Sequence, residues 1–456
     1  MRKQILVLGL VAAGMVICPV VNANQDSEGV LKLSKQVKTI FSNRGCMDCH
    51  ASDAELPFYG ELPVIGNMVK EDMENAQNHF NLSVVMNQLE KGQQVNEVDL
   101  AKIEKSTADN TMPPTQYAMV HWGSSLSAAD KSTIADWAKV SRATFYANGI
   151  AAAEFANEPV QPIKARQDYN EEKVALGNKL YHDTRLSGDN TVSCASCHNL
   201  NTGGVDRLKF SKGINGQVGD INAPTVFNAR YNHLQFWDGR AEDLQAQAGG
   251  PPMNPIEMGS ANWEEITGKL NEDVELAREF LKVYPQGLTG ETITDAIAEF
   301  EKTLATPNSP FDRYLKGDKT ALTSAEVEGY NLFKKYNCAT CHVGEAMGGQ
   351  SFEKMGLKAN YFADRGEMIT PDYGRMNATG LEKDIHRFKT PTLRNVELTA
   401  PYMHDGAVET LEEATRLMLK YQSGVNASEE EVKLIANFLR TLNGEYGGKP
   451  LSLNNL

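Results

Sequence analysis

Six of the seven cysteines in this chain repeat one spacing, C-x-x-C-H, at Cys46 to His50, Cys194 to His198 and Cys338 to His342. Such a run supplies two thiols that add across the vinyl groups of a haem and a histidine that ligates its iron, so the pattern predicts three covalently bound haem c groups. A zinc knuckle would need further Cys or His ligands close by, and a redox dithiol has no use for a histidine in the same place three times. Cys46, Cys49, Cys194, Cys197, Cys338 and Cys341 are the attachment residues, with His50, His198 and His342 on the irons. Only Cys18 is left over, so there is no disulfide framework. The fold must be built around three flat macrocycles.

A chain of 456 residues is too long for one small core, and two to three domains is the natural expectation. The formal charge of -14, made more acidic by haem propionates, excludes nucleic acid as a partner class. Met1-Arg2-Lys3-Gln4 precedes an apolar run from Ile5 to Val21, and Val21-Asn22-Ala23 offers small residues for a signal peptidase. The segment 1–23 reads as a signal peptide, or, uncleaved, as an anchor in the inner membrane; it holds Pro19 and is short for a span. Export to the periplasm agrees with c-type attachment on the oxidising side of a bacterial inner membrane.

The expected fold is all-α, with three c-type cytochrome-like haem domains in tandem. An N-terminal haem domain occupies 24–150: helical spacing from Ser27 to Phe41, the first run, a loop at Phe58 to Pro63, a helix from Met68 to Gln88, the breaker Thr111-Met112-Pro113-Pro114, and a closing helix from Ser127 to Ala147 capped by Ser127. Two prolines hold Met112 on a rigid loop, which makes it the expected sixth ligand of the first iron, with His79 and His121 as competitors. A linker is expected at 151–167 and the second haem domain at 168–318, with helices at Trp263 to Asn271, Asn271 to Val283 and Ile293 to Leu304. The third haem domain spans 319–446, with helices at Ser324 to Tyr336, Leu411 to Tyr421 and Glu429 to Leu442, and 447–456 is a tail.

An iron with both axial positions filled carries electrons, whereas one with an open face can bind peroxide. Splitting the O–O bond requires a proton to move from the inner oxygen to the outer, a task for a carboxyl, while an amide can orient the bound molecule. Glu257 and Gln247 could supply these groups if the chain folds back over the haem of His198. By spacing alone a glutamate in a turn, as Glu257 is, is more often solvated surface.

From about Asn178 to Tyr446, roughly 60% of the chain, the sequence resembles the bacterial di-haem cytochrome c peroxidases. The residues carrying the likeness include Leu186-Ser187, Cys194 to His198, Pro224 to Ala229, Phe236 to Ala241, Gln247-Ala248, Glu257-Met258, Cys338 to His342, Phe388 to Asn395 and His404-Asp405-Gly406. The N-terminal part resembles the extra haem domain of three-haem members, some of which take electrons from quinol. The resemblance implies that hydrogen peroxide is reduced at the haem of His198 with Gln247 and Glu257 as the distal pair. It implies electron transfer at the haem of His342, with Met418 as axial ligand and Met403 as runner-up, and Trp237 between the two. It further implies a calcium ion held by the Asn222 side chain and the carbonyls of Thr399 and Pro401. The donor implied is a quinol or a small c-type cytochrome.

One residue departs from the family. Many di-haem members place a histidine from the loop after the first of their two haem runs on the reactive iron, and it must leave before peroxide binds. Here Ser211 to Gly216 carries Ile214 at that place, and isoleucine cannot ligate iron. The middle iron is therefore expected to be high-spin as isolated. Rival readings are a non-catalytic tri-haem shuttle, which predicts six-coordinate iron everywhere, and a cofactor-maturing di-haem oxidase, which carries an axial tyrosine where Met418 stands.

Overall fold

The computed structural model describes residues 23–63, 65–165 and 168–455. The expected signal or anchor segment 1–23 lies, except for Ala23, outside them. Among the described residues no helix is long and apolar enough to cross a membrane. Helices dominate, and the strands form two short antiparallel pairs, Phe352–Lys354 with Arg387–Lys389 and Glu445–Tyr446 with Lys449–Pro450.

Three apolar cores follow one another along the chain. The first gathers Val37, Phe41, Leu82, Leu100, Ile103 and Trp137 from the helices Ala23–Asn43, Leu82–Lys91, Glu97–Ala108 and Ala128–Phe145. Ser127 caps the last of these through a capping box with Asp130. The expected helix from Met68 to Gln88 is two helices, Ile65–His79 and Leu82–Lys91, because Asn81 accepts from the Ser83 N–H and starts a new cap. The expected loop at Phe58 to Pro63 contains a 3₁₀ turn, Phe58–Glu61.

The second core packs Glu171–Tyr181 against Gly290–Lys302 so closely that a Cβ on Gly177 would lie 1.9 Å from the Ala296 carbonyl. Asp273 caps the helix Val274–Val283, which separates it from Trp263–Asn271. The third core joins Ser324–Lys335, Leu411–Met418 and Glu429–Arg440, where Gly329 plays the same close-approach part against the Leu434 carbonyl.

The second and third parts repeat a device. Asn228 and Asn395, each closing a Pro-Thr-x-x-Asn run in the left-handed conformation, both bond the fully buried Thr306, at 2.8 and 2.9 Å. Thr225 and Thr392 each donate to a backbone carbonyl and accept an N–H two residues on. The segment read as a linker is a packed strap. Phe155 and Val160 enter the third core, Val160 bridges Gly344, and Arg394 donates to the Gln161 carbonyl at 3.0 Å.

The first part is seated on the third. Val98 and Ala101 of the helix Glu97–Ala108 form an apolar cluster with Val343, one residue beyond the third run. Beside it Lys102 donates to both Glu353 oxygens, at 2.8 and 2.9 Å, and to the His79 carbonyl at 2.6 Å, in a site that is almost fully buried.

Candidate active site

Each C-x-x-C-H run ends in a histidine whose imidazole is held neutral by burial, the form that binds iron. The His342 Nδ1 stands 3.0 Å from the Met347 carbonyl and the His50 Nδ1 3.5 Å from the Phe80 carbonyl, which leaves Nε2 free for a metal. Among the described residues the buried His198 Nδ1 has no hydrogen-bond partner, although the Gly204 and Pro224 carbonyls lie close to the ring. All six run cysteines are unpaired thiols, and burial pushes each thiol's ionisation up. Unpaired thiols with two residues between them, beside a buried neutral imidazole, are the donor set of a covalent haem.

A cavity of about 650 Å³ connects the first run to the third. Cys46, Cys49, His50 and Met112 line one end. Cys338, Cys341, His342 and Met418 line the other. Of the competing ligands for the first iron, His79 also lines this cavity. His121 does not: its ring stacks on Tyr117 at 3.8 Å and its Nε2 lies 2.7 Å from the Tyr59 hydroxyl. Met418 is the last residue of the helix Leu411–Met418, which continues as a π-turn, Leu419–Ser423. Such bulges re-aim side chains at functional positions. Met403 lines the cavity too, at φ 71°, a conformation unfavourable for its side chain.

Trp237, Asn222, Thr399 and Pro401 stand in the wall of the same cavity. The Trp237 indole donates to the Asn222 carbonyl at 2.9 Å, and its ring meets His404 edge-on at 6.5 Å. His404 itself is bound to Asp372 at 2.7 Å. The Asn222 Nδ2 is committed to the Leu208 and Lys209 carbonyls, so the acceptor of this side chain is its Oδ1. Among the described residues no group of three His, Cys, Asp or Glu is placed to hold a metal ion, so a cation beside Asn222 would rest on amide and carbonyl oxygens.

The middle run lies apart from this cavity. Glu257 is half-buried on a turn whose hub is Asn254: the Asn254 carbonyl accepts from the N–H groups of Glu257, Met258 and Gly259, and its Nδ2 donates to the Glu257 carboxyl at 2.9 Å. Burial raises the ionisation of that carboxyl, against the Arg240 charge and the Asn254 bond. Glu257 in turn contributes to raising the Cys197 thiol, so the acid shares the middle run's surroundings. Gln247 is half-buried in the helix Leu244–Ala248, and among the described residues no hydrogen bond ties its side chain to Glu257. Ile214 is buried in the second core, and its Cδ1 would stand 2.1 Å from a Cβ on Gly259.

Several residues of the site were not singled out in the sequence. Asn254, Lys102 and Glu353 leave no local pattern, because their partners are supplied by the fold.

The chain is 51% identical to the cytochrome c peroxidase Ccp of Escherichia coli (strain K12), over 91% of this chain and 88% of that protein. It is 48% identical to the cytochrome c551 peroxidase of Nitrosomonas europaea, over 66% of this chain and 88% of that protein. The crystal structure of a MauG-like protein associated with microbial copper homeostasis superimposes with a TM-score of 0.55 at 31% identity, covering 62% of this chain and 93% of that one. A family model described as "Haem-binding domain" matches residues 8–140, and one described as "Di-haem cytochrome c peroxidase" matches residues 171–320. With its likeness to the first relative running nearly end to end, the chain belongs to the di-haem cytochrome c peroxidase family.

Proposed function

We propose that the protein reduces hydrogen peroxide to water in the periplasm, with electrons relayed through three haem c groups in three tandem haem domains. The haems supply redox chemistry and, at the middle one, an open iron face; the chain supplies the proton traffic and the path. Glu257 takes the proton from the inner peroxide oxygen and returns it to the outer one, which leaves as water. The Gln247 amide orients the substrate. Met112 and Met418 would be the protein's further ligands to the first and third haems, and Trp237 would lie on the route between third and middle. Asn222 with the Thr399 and Pro401 carbonyls would hold calcium beside that route.

One observation carries the reading: a half-buried carboxyl beside the middle run, its ionisation raised by burial, held on a turn by Asn254. A group poised in this way exchanges protons more readily near neutral pH than a solvated glutamate does. The cavity shared by the first and third runs supports entry of electrons at the N-terminal part.

The donor is a quinol or a small c-type cytochrome. Phe58, Met119 and Trp122 are exposed by 88, 71 and 93% on the first part, next to the Tyr59–His121 pair, and such a surface suits an apolar donor head. If the N-terminal apolar segment stays attached, it would hold the protein at the inner membrane, where a quinol is within reach. Steady-state peroxide reduction by the purified protein with each donor decides between them. In the same assay Glu257→Gln is expected to abolish turnover with all haem spectra intact, and retained activity would remove Glu257 from the reaction.

A further inference from the structure

Among the described residues two lysines are deeply buried, and they differ in what surrounds them. Lys102 spends its three donors on the two Glu353 oxygens and the His79 carbonyl. Lys389 is 6% exposed, yet among the described residues its ammonium has no salt bridge and no hydrogen bond. It sits at the end of the strand Arg387–Lys389, its backbone N–H donating to the Trp237 carbonyl at 2.8 Å, and it lines the same cavity as Cys341, His342 and Trp237. Burial pushes its pKa down to about 7, opposed by the charge of Asp238.

An uncompensated ammonium in such a place costs several kcal/mol, so an apolar residue would fill the space better unless an anion joins it. A haem brings two propionates, and the third run fixes its ring in this same cavity. We propose that Lys389 anchors a propionate of the haem carried by Cys338, Cys341 and His342, and that its ammonium neutralises that carboxylate beside Trp237. The carboxylate supplies what Glu353 supplies to Lys102, and so keeps Lys389 protonated at neutral pH. Cancelling a negative charge near the ring favours the reduced iron, which holds this haem ready to receive electrons from the first. Lys389 is a positioning residue: it acts on the haem's potential and seating, not on peroxide.

The inference rests on the reading of Cys338 to His342 as a haem site and is independent of what the middle site reduces. The test uses the full-length holoprotein. Pyridine haemochrome analysis counts the haems, and a count of two would count against the haem assignment itself. Spectroelectrochemical titration then follows each midpoint potential, and resonance Raman the propionate bending band, in Lys389→Met and Lys389→Arg. Lys389→Met is expected to lower the third haem's potential and shift its propionate band while leaving the first haem unchanged, with Lys389→Arg close to the parent. Unchanged potentials and band in Lys389→Met, or an equal shift in Lys389→Arg, would overturn the proposal. If Lys389→Met does not accumulate, Lys389→Gln, neutral and polar, carries the same test.

Discussion

The backbone N–H of Ile214 donates to the carbonyl of Glu257 at 2.9 Å. The loop that follows the middle run is thereby tied to the residue proposed to move the proton. A Cβ on the neighbouring Gly213 would fall 1.9 Å from the Ile256 carbonyl and 2.5 Å from that of Glu257. The loop is also closed on itself by the Lys212–Val218 bridge. Loop and acid therefore move together or not at all.

Gly213→Ala tests that tie. Gly213 has φ −92°, which any residue adopts, so the effect of the substitution is the collision alone. The variant is expected to lose about 1–3 kcal/mol of stability by thermal unfolding and to lose peroxide turnover severely, with haem content unchanged. Full turnover would show that the Glu257 turn tolerates displacement.

Asn254→Ala removes the amide donor that favours the ionised Glu257. Since a hydrogen bond to the charged form lowers a carboxyl's pKa, its loss raises it further. The acid limb of the kcat/KM profile for peroxide is expected to move to higher pH. An unmoved profile would mean that another group sets that limb.

Much of this site was legible because it is local. The three C-x-x-C-H runs, the Ser127 cap and the Met112 loop each declare themselves within a few residues. The helix Glu97–Ala108 was passed over although Asn96 caps it, because part of its apolar face, Val98 and Ala101, is turned toward Val343 in the third part of the chain. Periodicity reports that a face is buried, not what covers it. The strap 151–165 leaves no signal for a related reason: Val160 and Ile163 are fully buried without any period, Val160 held by the bonds that Pro159 and Gln161 make with Gly344, Ile163 by its N–H to the Asp312 carboxyl. Lys102 and Glu353 stand 251 residues apart, and no sequence pattern pairs them.

That pair yields a further expectation. Lys102→Met leaves the Glu353 carboxylate buried and alone, and is expected to cost about 3–5 kcal/mol. Replacing both residues by methionine should recover a large part of the loss, a coupling that a double-mutant cycle on thermal unfolding would measure. Rapid-mixing reduction of the third haem through the first is expected to slow in the single variant. Additive losses would show that the two charges do not support each other.

Glu301 is buried near Cys194 and Tyr181, and burial alone raises its pKa to about 8 from a reference of 4.5. The folded protein keeps its proton across a range where the unfolded chain has lost it. Stability from this group is therefore complete below about pH 4.5 and is lost as pH rises toward about 8. Glu301→Gln is expected to flatten that slope and to gain on the order of 4 kcal/mol at pH 8 in denaturant titrations, since the amide has no charge to shed. An unchanged slope would mean that the carboxyl has a compensating partner in the holoprotein.

Peroxide reduction at the middle haem requires an iron face that no protein side chain occupies. Electron paramagnetic resonance of the ferric protein as purified, with no reductant added, reads this directly. One high-spin signal is expected alongside low-spin signals from the first and third haems. A spectrum wholly low-spin, with the middle haem six-coordinate, would contradict it.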